Sequence, residues 1–198
     1  MMGMLRHILS LRSQSRCAKN SDVIPYIRCL VRSDVRTILD IGCGKLWDNN
    51  PPSEDILLSC FNDEKYRILG IDIFPECVEW RRKNMKIGEY YLLDARQILS
   101  LLPRKFDLVL AHHLIEHLSK EDGWKLLSDV SELALKQIII GCPIGFTDTE
   151  YAVKLHGNEY ERHLSGWYAE EFERLGFKVI RIKNVILGIK PVSYTHLR

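Results

Sequence analysis

Five short apolar runs, at residues 37–41, 67–71, 89–93, 106–111 and 137–141, punctuate this chain at regular intervals. Each is rich in Ile, Leu and Val, apolar on both faces, and bounded by charged or turn residues. A strand that alternates polar and apolar residues lies on a sheet with one wet face. A continuous apolar run of this length instead fits a parallel sheet covered on both sides. Helix-like stretches fall between the runs, near 22–32, 53–61, 75–86, 95–102, 119–134 and 167–175. Pro75 suits a first helical turn and Ser119 can cap free amides. Strands alternating with helices imply βαβ units and a doubly wound α/β sheet with right-handed crossovers.

The rhythm changes after Gly141. Residues 142–166 read as irregular and carry Tyr151, His156, Tyr160 and His163. A helix at 167–175 then leads through Gly176 into two strands, 177–183 and 185–190, with only Asn184 between them. Strands joined this closely must pair antiparallel or lie apart. A length of 198 residues suits one domain, taken as 22–190. The net charge of +2 gives no argument for nucleic acid, and no apolar run reaches the length of a bilayer span. The six cysteines are scattered without a C-x-x-C pair, a pattern that fits reduced thiols in the cytoplasm better than a disulfide framework or a zinc site. Residues 1–21 hold Arg6, Arg12, Arg16 and Lys19 and no acid; they read as a basic N-terminal segment in preference to an organelle presequence. Residues 191–198, PVSYTHLR, resemble translated adapter sequence from DNA library preparation and are expected to be a non-native tail.

The chemistry concentrates at the strand ends. Thr37-Ile38-Leu39-Asp40-Ile41-Gly42-Cys43-Gly44 is an apolar strand that ends in an acid and two spaced glycines. In open α/β sheets ligands bind at the carboxyl ends of strands where the strand order reverses. Glycines there admit close approach of backbone to ligand and positive φ. The second run ends Gly70-Ile71-Asp72, and the third ends Leu93-Asp94-Ala95. Asp72 can accept both hydroxyls of a ribose, and Asp94 an exocyclic amine. Strand-end Asp residues often do no more than cap turns, so the weight rests on three in succession beside G-x-G.

These marks resemble the class I S-adenosylmethionine-dependent methyltransferases. The resemblance spans roughly residues 24–190 and rests on ILDIGCG (38–44), ILGIDIF (68–74), YYLLDA (90–95), FDLVLAHHLIEHL (106–118) and GFKVI (176–180). It implies a Rossmann-like, doubly wound, seven-stranded sheet of order 3-2-1-4-5-7-6 with strand 7 antiparallel. It implies S-adenosylmethionine as cofactor. Gly42 and Gly44, with Cys43, would lie against its methionine part, and Asp40 would support that loop and the cofactor amine. Asp72 and Ile73 would meet the ribose, Asp94 and Ala95 the adenine, and Leu114 would line the pocket. The chain departs from the family at the third glycine of the loop, where it has Leu46. The following stretch, 45–52, is unusual in holding Trp47, Asn49, Asn50 and two prolines.

Three rival readings compete. Dehydrogenases want a third glycine where Trp47 stands and a ribose acid closer than Asp72. His113-Leu114-Ile115-Glu116-His117 matches the H-x-x-E-H of one zinc-peptidase class. That chemistry needs one continuous helix and a third ligand; here a strand runs straight into the motif, and no metal is expected. A cofactor-binding subunit without turnover is the third. For methyl transfer, His113 and Glu116 are the candidate catalytic residues, with His112 and His117 nearby. Amine-methylating nucleic-acid enzymes carry an Asn/Asp-Pro-Pro-aromatic turn after the fourth strand. Ala111-His112-His113-Leu114 stands there instead, which points to a small-molecule acceptor rather than nucleic acid. Residues 142–166 are expected to cover the acceptor site, with Tyr151, His156, Tyr160, His163 and Trp167 as candidate contacts.

Overall fold

The computed structural model describes residues 18–46, 50–102 and 104–192. The chain runs α1 (Asn20–Leu30), β1 (Thr37–Ile41), α2 (Ile56–Cys60), β2 (Arg67–Asp72), α3 (Pro75–Asn84), β3 (Glu89–Leu92), α4 (Ile98–Leu101) and β4 (Phe106–His112). It continues through α5 (Lys120–Leu133), β5 (Ala134–Pro143), α6 (Glu150–His156), α7 (Ala169–Arg174), β6 (Lys178–Ile182) and β7 (Val185–Pro191). The seven strands form one sheet of order β3-β2-β1-β4-β5-β7-β6. The first five run parallel. β7 pairs antiparallel with both β5 and β6. The expected order and the antiparallel seventh strand are both present.

Four of the five apolar runs are buried on both faces for the reason their composition gives; the exception is 89–93, where β3 forms the edge of the sheet and Tyr90 is buried while Glu89, Tyr91 and Leu92 are exposed. In β4, Leu108 and Leu110 face a core that includes Val23, Ile27, Leu57 and Val78 of α1–α3. Val109 and Ala111 face the opposite core, with Ile98, Leu126, Val130 and Phe172 of α4, α5 and α7. Alternate side chains of a strand point to opposite faces, so an apolar run feeds two layers at once.

Several boundaries differ from the sequence expectation, each with a local cause. The stretch 53–61 divides at Asp55, which takes an extended backbone and caps α2 by accepting the Leu58 N–H at 2.9 Å; a 3-10 turn, Pro52–Glu54, precedes it. The stretch 95–102 likewise opens with a 3-10 turn, Ala95–Gln97, capped by Asp94. β5 is longer than 137–141, because β4 holds one of its edges and β7 pairs with it from Gln137 to Pro143. The region 142–166 is less irregular than expected: α6 lies within it and stops at Gly157, whose φ of +64° suits glycine. α1 starts at Asn20, before the expected 22, and β7 takes in Pro191. The rest of the 191–198 tail beyond Val192, and the basic segment up to residue 17, lie outside the described residues. No described helix is long and apolar enough to cross a membrane.

Candidate active site

A cleft of about 1060 Å³ opens at the carboxyl ends of β1–β4. Its floor is the turn after β1. Gly42 and Gly44 have φ of +70° and +56°, values that favour glycine. The N–H groups of Gly42 and Cys43 both donate to the Ile71 carbonyl at 2.9 Å, which fastens the turn to β2. A Cβ built on Gly42 would lie 3.0 Å from Leu114 Cδ1, so Leu114 packs over this glycine. Among the described residues, a Cβ on Gly44 would meet nothing closer than the Gly42 carbonyl oxygen at 4.0 Å. No described side chain therefore covers the Cα of Gly44, whose N–H is taken by Asp72.

Arg81, in the last turn of α3, is the residue that sequence reasoning missed. It is buried, its Nε donates to the carbonyls of Cys43 and Gly44 at 3.0 and 2.9 Å, and its guanidinium lies 2.8 Å from the Asp55 carboxylate. An arginine satisfies the outward carbonyls that a positive-φ turn leaves exposed. Its sequence context, Glu-Trp-Arg-Arg-Lys in a helix, reads as a solvated basic face, so no local signal marks it.

The three strand-end carboxylates all line the cleft in different states. Asp40 is buried, and desolvation pushes its carboxyl up to about 7 despite the nearby Arg81. Asp72 is also raised by burial, partly offset because its two oxygens accept the N–H groups of Phe74 at 2.9 Å and Gly44 at 2.8 Å. One carboxylate thus ties the ends of β1 and β2 together. Asp94 is held below the usual carboxylate range by Arg96, whose guanidinium grips both oxygens at 2.5–3.0 Å. Cys43, Ile73, Ala95 and Leu114 line the same space.

Beyond β4 the chain turns sharply at His113, a non-glycine residue with φ of +53°. Its N–H donates to the Gly141 carbonyl at 2.8 Å, which holds the turn against β5. Its Nδ1 lies 2.9 Å from Glu116 Oε1. Glu116 is 1% exposed; burial works most strongly against its charge, but His113, His117 and a backbone hydrogen bond together outweigh it, leaving its carboxyl below the usual range. His112 is a buried, neutral ring packed over Gly141, held well below its ordinary value by desolvation. His112, His113, Glu116 and His117 all border the cleft. Residues 115–117 form a 3-10 turn, not the long helix a zinc-peptidase motif requires.

The expected cover, 142–166, supplies the outer wall through Thr149, Asn158, Tyr160, Glu161, His163 and Leu164. It is anchored by the N–H groups of Leu164 and Ser165, which donate to the Glu116 carbonyl at 2.8 and 3.1 Å. Three expected contacts lie elsewhere. Trp167 is wholly buried, donating to Ser165 Oγ and the Ile115 carbonyl, because an indole that large gains most in the core. Tyr151 points to solvent at 80% exposure. His156 is spent on Glu161, 2.6 Å away. Leu46 and Asn50 of the unusual 45–52 stretch line the cleft, whereas Trp47 and Asn49 lie outside the described residues.

This sheet order, glycine turn and row of strand-end acids define a class I S-adenosylmethionine-dependent methyltransferase. A family model described as "Methyltransferase domain" matches residues 39–136, and the chain is an S-adenosylmethionine-dependent methyltransferase of that kind. Among solved structures, the fold is similar to magnesium protoporphyrin IX methyltransferase from Synechocystis PCC 6803 with bound S-adenosylhomocysteine. That likeness has a TM-score of 0.61 and 15% identity over 97% of this chain and 94% of the other. A methyltransferase from Archaeoglobus fulgidus matches with TM-score 0.60 and 20% identity, covering 88% and 95%. The N-methyltransferase NodS from Bradyrhizobium japonicum WM9 matches with TM-score 0.55 and 13% identity, covering 86% and 93%. No curated protein sequence matches the chain.

The residues present fit the cofactor. Among the described residues nothing crowds the Cα of Gly44, which admits close approach, and Asp40, a buried carboxyl bordering the cleft, has the character of a partner for an ammonium group.

Proposed function

We propose that this enzyme methylates a small-molecule acceptor that enters the cleft beneath residues 158–164. One observation carries the reading: the cleft runs without a break from Gly44, Asp72 and Asp94 to Tyr160, His163 and Leu164. When bound, the cofactor supplies an electrophilic methyl group on a sulfonium. Asp40 then pairs with its amine, Asp72 and Ile73 hold its ribose, and Asp94 and Ala95 face its adenine. Gly42, Cys43, Gly44 and Leu114 shape the space for the rest. Asp72 can keep both backbone contacts and still accept, since a carboxylate has about four lone-pair sites.

His113 is the group assigned to receive a proton from the acceptor, with Glu116 as its positioning residue. An imidazole whose Nδ1–H is donated to a carboxylate presents Nε2 as a base. The cover excludes water, and alignment of acceptor and methyl supplies most of the remaining work. An acceptor small enough to lie inside the cleft agrees with the enclosing wall and with neighbours whose names specify magnesium protoporphyrin IX or N-methylation.

The test is incubation of the protein with methyl-labelled cofactor and cell extract divided into small-molecule and macromolecular fractions. Label should enter the small-molecule fraction and fall at least about tenfold with His113→Ala. Label confined to RNA, DNA or protein would overturn the acceptor class. Calorimetric binding of cofactor with transfer to neither fraction would favour a non-catalytic subunit.

A further inference from the structure

The sequence motif His113-x-x-Glu116-His117 fails as a helical zinc site, yet the fold rearranges its members. The segment 163–165, clamped to the Glu116 carbonyl, carries His163 against His117, with ring centroids 4.8 Å apart and nearly perpendicular. One donor atom from each of Glu116, His117 and His163 lies within 4.8 Å of the others. Two of these residues hold buried polar atoms without a close hydrogen bond, although the Thr147 backbone approaches the His163 ring. Glu116 Oε2 and His163 Nδ1 are buried and without a hydrogen-bond partner among the described residues. A buried ionised carboxylate oxygen left bare is costly, and so is an unpaired ring nitrogen.

We infer that Glu116, His117 and His163 form a binding site for one divalent transition-metal ion on the outer wall of the cleft. Two imidazoles and a carboxylate are the ligand set of zinc and of similar first-row ions; magnesium and calcium prefer all-oxygen shells. The surroundings orient the ligands. Nδ1 of His117 lies 3.3 Å from the Arg162 carbonyl, which demands a proton on that nitrogen and leaves Nε2 with its lone pair. His113 engages Glu116 Oε1 at 2.9 Å and leaves Oε2 to the ion. Drawing three donors to about 2.0–2.2 Å from one ion requires them to converge by about 1 Å, within reach of side-chain rotation. Since all three residues line the cleft, the remaining coordination position faces its interior. The ion would also fasten the cover to the turn after β4. Glu116 serves both His113 and the ion, but ion binding is read without methyl transfer, so either proposal can fail without the other.

Untagged protein stripped with a chelator and titrated with Co²⁺ alone tests this. One equivalent should bind with visible d–d bands of nitrogen and oxygen ligation. His163→Ala, His117→Ala and Glu116→Gln should each weaken Co²⁺ at least about tenfold. His156→Ala, which removes the neighbouring histidine–glutamate pair, should leave it unchanged. Circular dichroism and S-adenosylhomocysteine affinity establish that each variant is folded; the half-buried histidines decide the matter if Glu116→Gln is not. Absence of binding at about 1 mM Co²⁺ overturns the site and assigns water to those atoms. Undiminished binding in folded His163→Ala, or a thiolate charge-transfer band, overturns it equally.

Discussion

Replacing Arg81 by Met isolates what holds the glycine turn in shape. The guanidinium and the Asp55 carboxylate are only 5% and 4% exposed, 2.8 Å apart. Removing one member of such a pair leaves the other charged and buried, which costs about 3–5 kcal/mol. The carbonyls of Cys43 and Gly44 lose donors as well, a loss contained in that range because the turn can relax into the cleft. With a urea m-value of about 2 kcal/mol per molar, the unfolding midpoint should fall by roughly 2 M, read by far-ultraviolet circular dichroism. The double variant Arg81→Met/Asp55→Asn should regain part of this, since Asn keeps the α2 cap without stranding a charge. Unfolding within about 1 kcal/mol of wild type for Arg81→Met, or a double variant no more stable than the single, would show that the Arg81–Asp55 pair does not hold the turn.

Asp40 gives a pH dependence of cofactor affinity. Its carboxyl titrates at about 7 in the empty protein, and an adjacent ammonium favours the ionised form. Below that value binding must expel a proton, so affinity should weaken by up to about tenfold per unit from pH 7 down to 5 and change little just above 7. Asp40→Asn should flatten this profile; a slope unchanged by the substitution in calorimetry would count against the pairing. Trp167→Ala should cost about 3–5 kcal/mol in chemical denaturation, because the fully buried ring packs on Trp124 and Phe172 and receives the Lys120 ammonium at 3.6 Å. A loss under about 1 kcal/mol would show that this part of the core repacks freely.

The sheet was legible because its central strands β1, β2, β4 and β5 are buried on both faces, and such burial leaves long apolar runs that periodicity detects; the edge strand β3 is exposed along one side despite its apolar run. The order of the strands came from the resemblance, since no local pattern states which strand neighbours which. The three strand-end acids were legible by position, but their states were not. Asp94 is held by Arg96 two residues on, while Asp72 spends both oxygens on backbone N–H groups. Arg81 and Asp55, far apart in sequence, left no mark. Nor did the meeting of His163 with His117, which depends on a backbone clamp that only the folded chain displays. Trp167 looked like a contact for the acceptor because aromatic residues serve pockets and cores alike.

Calorimetric titration with S-adenosylhomocysteine, comparing wild type with Gly44→Ala, shows whether the cofactor lies against the turn after β1. A methyl at Gly44 meets no described residue closer than 4.0 Å, so the fold should survive with about 1–2 kcal/mol of backbone strain while the space the cofactor needs is lost. Wild type should show one site, and affinity should weaken at least about tenfold in Gly44→Ala. Folded wild-type protein that gives no binding heat, or a Gly44→Ala variant that binds as tightly, would contradict that placement.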